Sequence, residues 1–238
     1  MGGDVCPTTQ LGHSVQRIAI GSLGLPDYEG AKAYALERLR RDLPASLQYH
    51  TLWHTQDEIV PRTEWLGRHE GLSREAMVLV GTAAHFHDIG FVTTCIEHED
   101  AGARIVAEVL PHFGYRPDHI QTIQRIIYAT RLPQSARNLL ERIMADADLD
   151  VLGRDDYLVR NAALRAEKAA LGITYADHVW FPDQLLFLKR HQYFTQVAAT
   201  QRGPGKRRNL RQMQSIVADC CPDASTQVAL PVASITAP

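Results

Sequence analysis

The chain has 238 residues, of which 45% are hydrophobic and 22% charged, a composition that excludes wholesale disorder and suits one large domain. Twenty-five Lys and Arg against 27 Asp and Glu leave a net charge of −2, which gives no global argument for nucleic acid or an acidic membrane surface. Four cysteines without a C-x-x-C spacing argue against a zinc ribbon or a redox motif, and the 11 histidines are the unusual count.

The expected organisation is an arm over 1–26, a domain over 27–217 and a tail over 218–238. No basic segment followed by a long apolar run opens the sequence, so reduced thiols and a cytoplasmic location are expected. Apolar residues at helical spacing (Ala31, Ala35, Leu39) predict a first helix over 27–43, with Asp27 as its N-cap. A second helical stretch runs from about Tyr49 to Arg68 and stops at Gly71; Pro61 should kink or split it. Ser73 caps a strongly apolar helix through Phe86, the expected centre of the core. Helices follow over His98–Leu110, from Pro117 through Ile127, from Ser135 through Met144, and over Asp155–Leu171. Pro182 is expected to open a long helix to about Arg202, broken by Gly203-Pro204-Gly205, with Lys206-Arg207-Arg208 as a solvated turn. Alternating strand patterns and fixed repeats are absent, so the fold class is all-α.

The chemistry-bearing residues fall at three places along this series. Ala83-Ala84-His85-Phe86-His87-Asp88-Ile89-Gly90 ends the apolar helix on a His-Asp pair, and an aspartate there is costly unless paired or metal-bound. His50 and His54 are spaced i, i+4, hence on one face of a helix. Downstream, Ala145-Asp146-Ala147-Asp148-Leu149-Asp150 interleaves acids with apolar residues. Imidazole and carboxylate from separate helices make a nitrogen–oxygen set suited to a divalent cation. Taken singly, each residue has an ordinary reading: a packed histidine such as His85, or a solvated acid at a helix end.

Taken in order, the segments Tyr49–Thr55, Ala83–Gly90 and Asp146–Leu149 resemble the HD superfamily of metal-dependent phosphohydrolases, whose pattern is H…HD…D. Phe187–Thr195 is also similar to small bacterial members. The resemblance implies a single HD-domain helical bundle with His54, His87, Asp88 and Asp148 as metal ligands. Asp146 would then orient a metal-bound histidine. It implies one or two divalent ions, Mn, Fe, Co, Ni, Zn or Mg, and a metal-activated water acting on a phosphomonoester or phosphodiester of a nucleotide or other small metabolite. Asp88, His98 and Glu99 are the candidate catalytic residues; Arg131, Arg154 and His50 are the candidates for holding substrate. No membrane or nucleic-acid partner is expected. His98-Glu99-Asp100-Ala101-Gly102-Ala103 also resembles diiron oxygenases of the same superfamily, but Ile126 stands where those enzymes carry a further histidine. An oxygenase, or a non-catalytic nucleotide-binding module, is the alternative.

Overall fold

The computed structural model describes residues 24–220, so most of the expected arm and nearly all of the expected tail lie outside the described residues. Nine α-helices run through the described chain, and no strand occurs among its residues. They are α1 (Tyr28–Asp42), α2 (Val60–His69), α3 (Arg74–Phe86), α4 (His98–Val109), α5 (Pro117–Tyr128), α6 (Leu139–Asp148), α7 (Tyr157–Ala170), α8 (Asp177–Arg190) and α9 (Gln196–Cys220). The last helix passes the 217 boundary, and none of the described helices is long and apolar enough to cross a membrane.

Local chemistry sets the starts that the sequence marks most clearly. The Asp27 side chain accepts from the Gly30 amide at 2.9 Å, Ser73 accepts from the Ala76 amide at 3.2 Å, and Pro117 occupies the first position of α5. α3 is the axis of the molecule, buried from Leu79 through Phe86, with α1, α2, α5 and α6 packed around it. Its Gly81, Ala83 and Ala84 present little bulk, while Val80 and Phe86 are fully buried in the main cluster with Leu39, Leu66, Ile123, Ile127 and Ile143. A smaller cluster, Val151, Leu152, Tyr157, Leu188 and Met213, joins the turn Asp150–Gly153 to α7, α8 and α9.

Four expectations are corrected. The Tyr49–Arg68 stretch is not helical from its start: His50 precedes the helix, and His54–Ile59 forms a widened π-turn that leads into α2. Its five-residue bond, Val60 N–H to the Thr55 carbonyl, comes just before Pro61, which has no N–H to give and lies in the first turn of α2. α6 starts at Leu139 rather than Ser135, because the Asn138 side chain caps the Glu141 amide while Glu141 accepts from the Arg137 amide and the Asn138 side chain. Pro182 lies inside α8, and the chain breaks instead at 191–195. Gly203-Pro204-Gly205 is helical within α9, with Lys206 donating to the His191 carbonyl and Arg208 paired with Asp155. A Cβ on Gly205 would lie 2.0 Å from the Gly153 carbonyl oxygen; the glycine serves backbone-on-backbone packing, not a break.

Candidate metal centre

His87 and Asp88 follow the last turn of α3, Asp148 ends α6, and His54 opens the π-turn. Burial of the intervening apolar residues drives these three ends together. His54 Nε2 lies 3.8 Å from Asp88 Oδ2 and 4.0 Å from Asp148 Oδ1; His87 Nε2 lies 3.1 and 3.8 Å from the same two oxygens. The ligand atoms of His54, His87 and Asp148 all fall within 4.8 Å of one another.

The other ring nitrogens set the direction of this donor set. His87 Nδ1 donates to the Ala84 carbonyl at 2.9 Å, and His54 Nδ1 donates to Glu58 Oε2 at 2.8 Å. Each hydrogen bond leaves a lone pair on Nε2. Among the described residues, His54 Nε2, His87 Nε2 and Asp88 Oδ2 are all buried without a hydrogen-bond partner, although His87 Nε2 and Asp88 Oδ2 lie within ion-pair distance of each other. Three orphaned polar atoms at one place carry a free-energy cost that a cation would remove. Donors around a cation at about 2.1 Å stand about 3 to 4 Å apart, and the four His–Asp distances run from 3.1 to 4.0 Å. The residues fit a divalent metal.

Charge at the point is frustrated without one. Burial raises Asp148 to about 7, with the Asp88 charge adding to the shift against the opposing pull of His87. Burial works against a charge on His87, yet Asp88 and Asp148 raise it to about 9. Asp88, whose burial disfavours ionisation, is held well below the usual carboxylate range by His87, His50 and His54.

His98 begins α4 on the other side of Asp88, its Nε2 3.6 Å from Asp88 Oδ1. Two backbone features put it there. A Cβ on Gly90 would lie 1.8 Å from the His98 carbonyl oxygen, so only glycine lets the start of α4 approach the dyad this closely. Glu97, immediately before His98, holds a left-handed φ of 51°, a strained position of the kind that collects at functional sites. The His98 ring stacks on Phe91 at 4.0 Å, and His50 stacks on the same phenyl ring at 4.5 Å.

Glu99 is buried behind His98, its Oε2 3.7 Å from His98 Nδ1 and 3.6 Å from Arg131 Nε. Arg131, 41% exposed, pairs with Asp100 at 2.9 Å. Arg154 is taken up by the carboxylates of Glu58 and Asp156. His50 Nδ1 meets Glu167 Oε1 at 2.5 Å, and Glu167 Oε2 accepts from the Tyr49 and His50 amides. The expectation for Asp146 is corrected: fully buried, it accepts from the Phe194 and Thr195 amides and the Thr195 hydroxyl, and it orients no histidine. It secures the chain entering α9. Ile126 is likewise fully buried in the main core cluster.

Sequence reasoning missed Glu58, Phe91, Arg160 and Glu167. Glu58 carried a signal, standing four residues after His54; Arg160 and Glu167 lie more than a hundred residues from the groups they hold and carried none.

The HD-domain family model matches residues 62–150. That range contains His87, Asp88, His98, Glu99 and Asp148, whereas His50, His54 and α7 lie outside it. Comparison with curated proteins and with solved structures found no match. Over residues 62–150 the chain is therefore similar to HD domains.

Proposed function

We propose that the chain is a metal-dependent phosphohydrolase acting on a small phosphate ester, of which a nucleotide is the substrate class favoured, with no macromolecular partner required. The observation that carries the reading is the convergence of His54 Nε2, His87 Nε2 and Asp88 Oδ2, buried and unpartnered, beside Asp148. A divalent cation held by these four residues would lower the pKa of a bound water and polarise a phosphoryl oxygen. His54 and His87 would serve as neutral donors, each with its Nδ1 proton committed elsewhere.

His98, beside Asp88 and backed by Glu99, stands where it can hold a phosphoryl oxygen or relay a proton. His50 is the complementary group. Burial opposes its charge, but Glu167, Asp88 and Asp148 raise its pKa above the usual imidazole value. An imidazole whose proton is held more tightly than usual suits donation to a leaving alkoxide, the demand of an ester rather than an anhydride. Ile126 supports hydrolysis over oxygenation, since a core isoleucine offers no ligand for a second iron.

The test is a panel of phosphomonoesters and phosphodiesters given to the full chain with Mn, Fe, Co, Ni, Zn or Mg, with and without oxygen. Hydrolysis should proceed anaerobically. Asp88→Ala should lose turnover and bound metal together while keeping its helical circular dichroism, because the core rests on apolar burial. Strict dependence on O₂ with two irons per chain, or full activity in metal-free Asp88→Ala, would overturn the reading.

A further inference from the structure

One buried group beside the metal centre is bound more elaborately than packing requires. Glu58, in the π-turn, has a side chain only 4% exposed, yet it is a carboxylate. Its Oε2 accepts from His54 Nδ1 at 2.8 Å and meets Arg160 Nη2 at 3.0 Å, and its Oε1 pairs with Arg154 Nη1. Arg160 comes from α7, where it also donates to the Tyr49 carbonyl at 3.0 Å and lies over the Tyr49 and Trp53 rings at 4.5 and 5.3 Å. Arg154 is braced in turn by Asp156. Two guanidiniums thus converge on one carboxylate whose only other partner among the described residues is a candidate metal ligand.

We infer that Glu58 is the positioning residue of His54: clamped by Arg160 and Arg154, its carboxylate holds the proton on Nδ1 and turns the Nε2 lone pair toward the cation. The inference rests on the metal reading of His54 and goes beyond it. A carboxylate can only accept, so the bond to Glu58 admits one tautomer of a neutral His54. A glutamine amide at the same place can donate as well as accept and admits both. Glu58 stands four residues after His54 in the π-turn, where its carboxylate meets both His54 and Arg160 of α7. Arg160 and Arg154 act one step further out, offsetting the cost of burying the carboxylate. Arg154 therefore acts on the site through Glu58, in place of the grip on substrate phosphate that its position in the sequence suggests.

The tautomer is read first, on the full wild-type chain without metal, by ¹⁵N NMR of labelled histidine: His54 should carry its proton on Nδ1. Calorimetric titration with Mn²⁺ alone follows. Glu58→Gln should bind about 10- to 100-fold more weakly, the scale for removing a partner of a metal-bound histidine, and should show a mixed tautomer. Arg160→Met should weaken binding alone but add less than about twofold when combined with Glu58→Gln, because it acts through the same carboxylate. A proton on Nε2 in wild type, an affinity in Glu58→Gln within about threefold of wild type, or multiplying losses in the double variant would each overturn the inference. If Glu58→Gln fails to fold, the wild-type tautomer decides. Normal Mn²⁺ binding without any phosphoesterase activity would defeat the hydrolytic reading and leave Glu58 in place; a wild type that takes up no metal would defeat both.

Discussion

His191 shows how much a single side chain depends on where the chain turns. It lies in the connection between α8 and α9, with both ring nitrogens buried and, among the described residues, unpartnered. Burial, reinforced by the Lys206 ammonium, depresses its pKa to about 3; the aromatic rings of Tyr193 and Phe187 are its other neighbours. In the unfolded chain it takes a proton near pH 6.5. Stability is therefore intact above that pH and falls as the pH drops toward 3, because only the unfolded state binds the proton. Urea unfolding at pH 7 and pH 5 should show wild type losing more stability than His191→Gln, by at most about 1 kcal/mol per pH unit. Equal losses would mean that His191 is protonated in the folded protein. At this same scale the candidate centre was legible, because His54, His87, Asp88 and Asp148 stand in a recognisable order and the fold brings them to one point. Their partners were not. Asp146 and Asp148, two residues apart on α6, point to different places: Asp148 to the candidate metal point and Asp146 to Phe194 and Thr195, in the connection that leads into α9.

At the scale of elements, α9 separates what local chemistry determines from what packing determines. Starts set by one side chain or one proline, at Asp27, Ser73 and Pro117, follow from the sequence because cap and capped amide are neighbours. Gly203-Pro204-Gly205 reads as a break by the same local rules, and it is helical because its cause lies elsewhere. The turn Asp150–Gly153 crosses α9 so closely that Gly205 and the Gly153 carbonyl leave no room for a Cβ, and Asn209 and Arg202 bond that turn's Leu152 carbonyl and Asp150 carboxylate. Two substitutions separate helix propensity from this contact. At Gly203 the nearest atom to an added Cβ is the far end of Arg207 at 3.4 Å, so Gly203→Ala should gain about 0.5 to 1 kcal/mol. At Gly205 the Cβ would meet carbonyl oxygen at 2.0 Å, so Gly205→Ala should lose about 2 kcal/mol or more. Thermal unfolding of the two variants measures both, and the same sign at both sites would show that α9 is not held against the turn. Pro182 within α8 has the same lesson: a helix packed through Trp180 and Leu188 tolerates a lost amide donor that an isolated one would not.

For the whole molecule, the candidate metal point is a junction at the ends of elements that the main core packs together. It joins the π-turn, the end of α3 and the end of α6, and α4 closes it through His98. The main core reaches it from one side through Phe86, Ile89 and Ala147; α7 reaches it from the other through Arg160 and Glu167, outside the matched HD segment. A cation bound there would tie these parts together in the folded state alone, so metal should stabilise the molecule by mass action. At a free metal concentration 100 times the dissociation constant the gain is about 2.7 kcal/mol, which for a domain of this size raises Tm by about 5 to 10 °C. Asp148→Asn should abolish most of that shift, since it removes a charged ligand at the centre. Arg131→Ala should keep it, since Arg131 pairs with Glu99 and Asp100 of α4 and lies over the Tyr128 ring, touching none of the four candidate ligands. Differential scanning calorimetry with Mn²⁺ and with a chelator reads all three proteins. An undiminished shift in Asp148→Asn would place the stabilising cation at some other point of the molecule, and the junction would then be held by its hydrogen bonds and ion pairs without a metal.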